Sequence, residues 1–193
     1  MTKTDFLRCL YEPMEKMDSF QDLSRDVQKG GFQLAYGLDD CQRIHMLCAL
    51  QGKIGRTLMV VASNDMAAQK ITDDMNALLG GHVAFFPARE ISFQRVAASS
   101  REITLRRLDA LGRLITGQLK AIVAPADALM YRLMPADLFR QNLIRFEEGQ
   151  ILDPHKAIEM LVAAGYERVD VVESRGQCAI RGGIGLPGLA SGA

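Results

Sequence analysis

The sequence predicts an α/β protein with a doubly wound, mostly parallel sheet, followed by a small α+β domain. Three short apolar runs, at 57–63, 82–86 and 120–124, alternate with helical patterns of about 10 to 17 residues. Strands separated by helices of this length pair in parallel through right-handed crossovers. The pattern changes after Met134-Pro135, where strand-like runs follow one another more closely. We therefore expect a domain boundary near residue 135.

Length and composition agree with an ordinary globular chain. The 193 residues are 48% apolar and 24% charged, which is enough to build a buried core. Lys and Arg together number 23 and so do Asp and Glu, so the overall charge favours neither polyanions nor membranes. The N-terminus has no signal-peptide pattern, and no run approaches ~18 apolar residues. We expect a cytoplasmic protein without a membrane partner.

The four cysteines include no CxxC pair, and the three histidines are scattered along the chain. Such spacing is typical of reduced thiols in a reducing compartment, and it does not support a zinc site. No metal ligand set is predicted.

Residues 1–31 form a predicted helical N-terminal segment, ending at a glycine pair. The next run, 32–37, alternates apolar and other residues and is predicted to be a strand. Asp39 and Asp40 are candidate caps for the helix that follows. One face of that helix is predicted to carry Ile44, Leu47, Cys48 and Gln51.

The run at 57–63 is continuously apolar, which predicts a strand that is buried on both faces. A helix is then expected from Asp65 to the glycine pair at 80–81, and a second buried strand at 82–86. Ser99 and Glu102 have the spacing of a capping box.

That capping box predicts a helix that ends at Gly117, and Pro125 is predicted to begin another after the strand at 120–124. The apolar positions of the first of these helices are Leu105, Leu108, Leu111 and Ile115.

The predicted second domain, 136–184, begins with a strand-like run at 143–146 and a helix from Asp153-Pro154 to Gly165. Two further runs, 168–172 and 177–181, predict an antiparallel hairpin with a turn at Ser174–Gly176. The last residues, 185–193, are predicted to be an irregular tail.

No catalytic residue is predicted. The first strand-turn-helix would be the place for a phosphate loop, but 36–43 lacks GxxxxGK[ST] and carries two aspartates. The chain also has no GxSxG or HExxH motif. The acidic pairs at 73–74 and 147–148 are predicted to be solvated rather than acid–base dyads.

Six arginines lie between Arg89 and Arg113, with three acidic residues among them. Such a cluster could contact a phosphate backbone. Arg101, Arg106 and Arg113 also fit the exposed face of an amphipathic helix, and this solvated face or protein contact is the favoured interpretation.

Several segments together resemble one family, with order and spacing in agreement from about residue 30 to 184. They are 57–63, 85–90, 100–107, 122–129 and, with the greatest specificity, 164–184. The chain resembles the N-terminal module of the bacterial transcription-repair coupling factor (Mfd), which is itself similar to the excision-repair protein UvrB. The absent Walker lysine near Gly37 agrees with the coupling factor and argues against UvrB.

The resemblance implies that 32–135 is a degenerate P-loop NTPase-like domain whose phosphate loop has decayed. It implies that 136–184 is an incomplete inserted domain that docks on the excision-repair protein UvrA. The family's docking arginines fall in two motifs that here contain Arg168 and Arg181, which become the predicted partner-binding residues. For each, the alternative is a surface arginine paired with Glu167, Asp170 or Glu173.

The resemblance further implies a non-catalytic fragment with no cofactor of its own. In the family, ATP, magnesium, RNA polymerase and DNA are bound through domains that this chain lacks. Residues 185–193 depart from the family's aliphatic-Asp-aliphatic-aromatic-Pro strand, so a truncated chain is expected. Two alternatives stay open: a small nucleotide- or phosphate-dependent α/β enzyme with an unrecognised site, and a truncated UvrB that binds DNA.

Overall fold

The computed structural model describes residues 3–89, 97–144, 153–173, 176–181 and 184–187. These residues fall into two compact units. The first unit holds the described residues up to 89 together with 116–131, and the second holds the others. The domain boundaries drawn along the sequence stay a prediction.

The first unit is built on a three-stranded parallel sheet with the order β1-β3-β2. Strand β3 (Ala121–Pro125) is central, and it pairs with β1 (Leu58–Ala62) and with β2 (Val83–Phe85). All residues of β3 are buried, as its apolar sequence predicts. The predicted α/β class is confirmed, and the parallel sheet in the described residues is a small one of three strands.

Four α-helices of the described residues accompany this sheet, and α4 (Asp65–Leu79) packs on all three strands. Helix α3 (Asp40–Ile54) packs on α4, and α1 (Lys3–Glu15) and α2 (Asp18–Lys29) pack on α3. Helices α3 and α4 each end at a left-handed glycine, Gly55 and Gly80, as C-caps commonly do. Helices α1 and α2 confirm the predicted helical N-terminal segment, with a break at Lys16 and Met17.

The core of the first unit is formed where α3 and α4 meet the sheet. The predicted face of α3 is confirmed, because three of its four residues are buried and the fourth, Leu47, is half-buried against the core. Burial of apolar side chains is the main favourable contribution to such packing. The buried members of this core are Ile44, Cys48, Ala62, Ala68, Met75, Leu79, Val83, Ala121 and Val123.

Three predictions for the first unit are wrong. Residues 32–37 form neither strand nor helix. Strand β1 is not buried on both faces, because Met59 is 58% exposed and Val61 55% exposed at the edge of the sheet. The segment after β3 is one 3-10 turn, Ala126–Leu129, and not an α-helix.

The second unit contains α5 (Ala97–Ile115), α6 (Ala136–Gln141) and α7 (Pro154–Ala163). Helix α5 begins before Ser99, so Ser99 and Glu102 lie inside the helix rather than at its cap. Its buried positions include Arg107 and Ala110, whereas Leu108 is 45% exposed. No helix in the described ranges is long and apolar enough to cross a membrane.

The second sheet has the order β4-β5-β6 and differs from the predicted hairpin. Strand β4 (Glu167–Arg168) has only two residues and pairs in parallel with β5 (Gln177–Arg181). The antiparallel partner of β5 is β6 (Ile184–Pro187). The predicted hairpin of 168–172 with 177–181 is therefore wrong.

The predicted irregular tail is also wrong where it overlaps β6, while 188–193 lie outside the described residues. Leu143 and Ile144 are not in a strand, and the rest of the predicted run at 143–146 lies outside the described residues. Pro187 suits its place on β6 because an edge strand tolerates a residue without an N–H donor.

We expect the two sheets to differ in stability. Strand β3 is flanked on both edges and buried throughout, whereas β5 has a two-residue neighbour on one side. Amide exchange should be at least about tenfold faster for β5 than for β3, because lightly packed elements open at lower free energy. Native-state hydrogen exchange measures this difference directly, and equal protection of the two strands would contradict it.

We expect a buried thiol to make the first unit sensitive to alkaline pH. Burial raises the pKa of Cys48 from 9.0 to about 12. The thiol of the unfolded chain loses its proton above pH 9 while the folded thiol keeps it, so stability present at neutral pH falls as pH rises through this window. The loss amounts to at most about 1.4 kcal/mol per pH unit.

Cys48→Ala should therefore flatten the fall in unfolding free energy between pH 9 and 12, measured by urea titration at each pH. Cys41→Ala is the matched control, because Cys41 lies on the same helix and is exposed. Equal slopes in the wild type and in Cys48→Ala would show that this thiol does not govern the alkaline transition.

Candidate functional site

The predicted docking region is held by α7. Asp153 caps this helix by accepting a hydrogen bond from the His155 backbone N–H at 2.9 Å, and Pro154 occupies the first turn. Proline is tolerated there because the first N–H groups of a helix have no intrahelical partner. Ile158 and Leu161 are buried together with Cys178 of β5. These contacts fix the helix against the sheet.

Backbone hydrogen bonds of the described residues hold strand β4 and the residues on either side of it. The Tyr166 N–H donates to the Leu161 carbonyl, the Glu167 N–H to Gly176, and the Val169 N–H to Cys178, each at 2.9 Å. The chain reverses just before them at Gly165, whose φ of 94° is readily adopted only by glycine. The residues before and after Arg168 are thus both held by backbone hydrogen bonds, which fixes the position of Arg168 in the chain.

The Arg168 side chain is exposed. Among the described residues it forms no salt bridge, so the predicted alternative of pairing with Glu167, Asp170 or Glu173 is not observed. Its positive charge opposes the rise that burial produces in the pKa of the Cys178 thiol.

Arg181 lies at the end of β5, where its backbone is opposite Ile184 of β6. Its side chain is outside the described part of the structure. The predicted hairpin would place Arg181 directly across from Arg168, but the residue across from Arg168 is Cys178. Arg181 is three positions further along β5, or about 10 Å. The two arginines share one sheet without being cross-strand neighbours.

Sequence reasoning missed the apolar surface of the second unit. Met160 and Val162 of α7 are 48% and 45% exposed, and Val171 is 52% exposed. The signal was present in α7, because the helical period places Met160 and Val162 on opposite margins of the stripe formed by Ala157, Ile158 and Leu161.

The arginine cluster resolves into individual contacts. On α5, Arg106 pairs with Glu102 at 2.7 Å, Arg113 lies 4.0 Å from Asp109, and Arg107 is buried. In the first unit, the Arg89 guanidinium lies 5.9 Å from the centroid of the Tyr131 ring. The side chains of Arg95 and Arg101 lie outside the described residues. Of the three arginines predicted to be solvated, Arg106 is exposed and Arg113 is half-buried, so the choice between a solvated face and a phosphate-binding patch stays a prediction.

The position expected for a phosphate loop is occupied by carboxylates. Asp39 accepts a hydrogen bond from the Gln42 N–H at 2.7 Å, and the Gln42 side chain accepts one from the Asp39 N–H at 3.1 Å. This capping box confirms Asp39 as the cap of α3. Asp40 lies 3.4 Å from Arg43 and 3.9 Å from Lys70. Within the described ranges, no group of three or more metal-ligating side chains occurs.

Comparison with known protein families finds a match in the same region. Residues 144–184 match the family described as the UvrB interaction domain. This stretch includes α7, β4 and β5, and therefore both predicted arginines.

The matches to whole proteins extend over most of the chain. It is 31% identical over 173 residues to a transcription-repair-coupling factor of Bacillus subtilis (strain 168), covering 89% of this chain. It is 23% identical over 166 residues to that of Staphylococcus aureus (strain USA300), covering 86% of this chain. The chain spans only 15% and 14% of these two relatives.

The two comparisons agree with each other and with the order of motifs along the sequence. The resemblance is therefore confirmed: the chain matches a UvrB interaction domain and is similar over most of its length to transcription-repair-coupling factors, as an N-terminal module of such a factor would be.

Proposed function

We propose that this chain is a non-catalytic module of transcription-coupled repair that recruits the excision-repair protein UvrA to stalled transcription complexes. The observation that carries the proposal is Arg168, an exposed arginine without a salt bridge to the described residues, held on an edge strand inside the matched region. Arg181 is the second contact residue of the same sheet.

An exposed arginine without a salt bridge in the described structure suits a protein interface. Its planar guanidinium donates several hydrogen bonds in a fixed geometry and is more weakly hydrated than a lysine ammonium. Because Arg168 has no salt bridge to give up within the described structure, a carboxylate of the partner would gain a contact without breaking one. The exposed Met160, Val162 and Val171 add apolar area on the same unit.

The first unit supports this role as a scaffold. We propose that it derives from a nucleotide-binding domain of the P-loop type whose phosphate loop has decayed. The N-terminal N–H groups that would bind a phosphate include that of Gln42, which already donates to Asp39. Other parts of the coupling factors would bind RNA polymerase and DNA and carry out ATP-driven movement.

Replacing Arg168 with alanine should weaken binding to purified UvrA at least about tenfold, because a central interface arginine is a typical hot spot. Arg168→Lys should recover only part of the affinity, since it keeps the charge and loses the planar donor group. Isothermal titration calorimetry of the wild type, the two Arg168 variants, Arg181→Ala and the double alanine variant measures these effects.

Arg56→Ala is the matched control, because Arg56 is an exposed arginine outside the matched region. It should bind as the wild type does. Strong binding that survives the double substitution would remove both arginines from the interface while leaving the module's role intact. Absence of binding by the folded wild type would refute the proposed recruitment.

The chain should show no ATP binding. Asp39 occupies the helix terminus, and the loop offers no lysine for the β- and γ-phosphates. A ligand at 100 times its dissociation constant would add about 2.7 kcal/mol of stability, so thermal unfolding with and without magnesium-ATP is a sensitive measurement.

An unchanged midpoint of unfolding is expected in the wild type and in Asp39→Asn, which keeps a capping side chain and removes one negative charge. A saturable, magnesium-dependent rise in the midpoint would favour the alternative of a nucleotide-dependent enzyme. Tight binding of DNA by the same preparation would favour the alternative of a shortened UvrB.

A further inference from the structure

Residues 32–36 of the first unit expose large apolar side chains and have backbone groups without a hydrogen bond in the described structure. Phe32, Leu34 and Tyr36 are 89%, 74% and 86% exposed, although large apolar side chains of this kind are usually covered. They alternate with Gln33 and Ala35, as the residues on one face of a strand do. Within the described structure, no hydrogen bond involves the backbone of 32–36.

The same unit also contains an unoccupied strand edge. Strand β1 is the terminal strand of its sheet and pairs only with β3 in the described structure. Met59 and Val61 are more than half exposed on its outer face. Neither 32–36 nor β1 contains a charged residue or a proline, the usual features that keep an edge strand from pairing.

We propose that residues 32–36 pair as a strand with the free edge of β1 in a second copy of this chain. Each copy has one donor segment and one receiving edge, so the exchange can be reciprocal and close as a twofold dimer. Gly31 and Gly37, with φ of 106° and 76°, flank the segment, and the space around both is open, so the backbone can turn at either end of it.

The area available is sufficient for a stable dimer. A buried aromatic side chain contributes roughly 150–250 Å², so two aromatics and a leucine give about 500 Å² per segment. Two donor segments give about 1,000 Å², and the exposed parts of Met59 and Val61 on two receiving edges raise the total to ~1,200 Å², the size at which specific complexes begin. Strand pairing also satisfies backbone groups on both partners.

The experiment is a concentration series of the full chain by analytical ultracentrifugation, with variants on each side of the contact. Leu34→Lys alters the donor segment and Val61→Lys the receiving edge, and both positions are more than half exposed, so folding should be retained. Each should weaken dimerisation at least about tenfold by placing a charge in an apolar contact. Met66→Lys is the matched control, because Met66 is 81% exposed and lies outside both surfaces.

Mixing the two variants gives a sharper result. Leu34→Lys keeps an intact receiving edge, and Val61→Lys keeps an intact donor segment. In a mixed dimer one of the two exchanges therefore carries no substitution, so the equimolar mixture should associate more tightly than either variant alone. Hydrogen exchange should show protection of 32–36 and of β1 that rises with concentration. The proposal is overturned by a wild type that stays monomeric to millimolar concentration, by dimers insensitive to either substitution, or by protection of 32–36 that is independent of concentration.

Discussion

Strand β3 is hydrogen-bonded along both edges and buried on both faces, and the arrangement of the first unit depends on it. It supplies the pairing partner for β1 and β2, which do not contact each other as neighbours in the sheet. Helix α4 packs across all three strands, and α3, α1 and α2 are added outward from it. A polar residue in β3 would therefore disturb the sheet and the helix layer together, because its backbone and side chains are both enclosed.

The same constraint explains which elements could be predicted from the sequence. The apolar runs at β1 and β3 look alike, and both are strands, but only β3 is enclosed by its neighbours. The order of the strands in the sheet depends on the whole fold and cannot be predicted from either run alone. Helices α3 and α7 were predictable because Asp39 and Asp153 cap their starts locally. Helix α4 does begin at Asp65, as predicted, but its cap is Asn64. Residues 32–37 have a strand pattern, yet a strand also needs a partner edge.

The docking sheet was less predictable than the helix behind it. The hairpin interpretation assumed that 168–172 would pair along its whole length, but Val171 is exposed and only Glu167 and Arg168 join β5. Because no residue of 167–173 is buried on either face, little fixes the register of such a run. The Glu173 N–H instead donates to the Gln177 side chain at 3.0 Å, which closes the connection between the strands. The position of Arg168 was predictable from its motif, whereas its neighbour across the sheet was not.

The geometry of β4 gives Arg168 a particular dependence on the core of its unit. Its strand is too short to be stable by itself, so its place is set by the hydrogen bonds to Leu161, Gly176 and Cys178. Leu161 and Cys178 are also buried core residues packed between α7 and β5. Two of the three residues that position the backbone around Arg168 therefore also belong to the buried core between α7 and β5. Loss of packing at Leu161 would displace Arg168 without touching it, and a weakened partner contact would follow from lost order rather than lost charge.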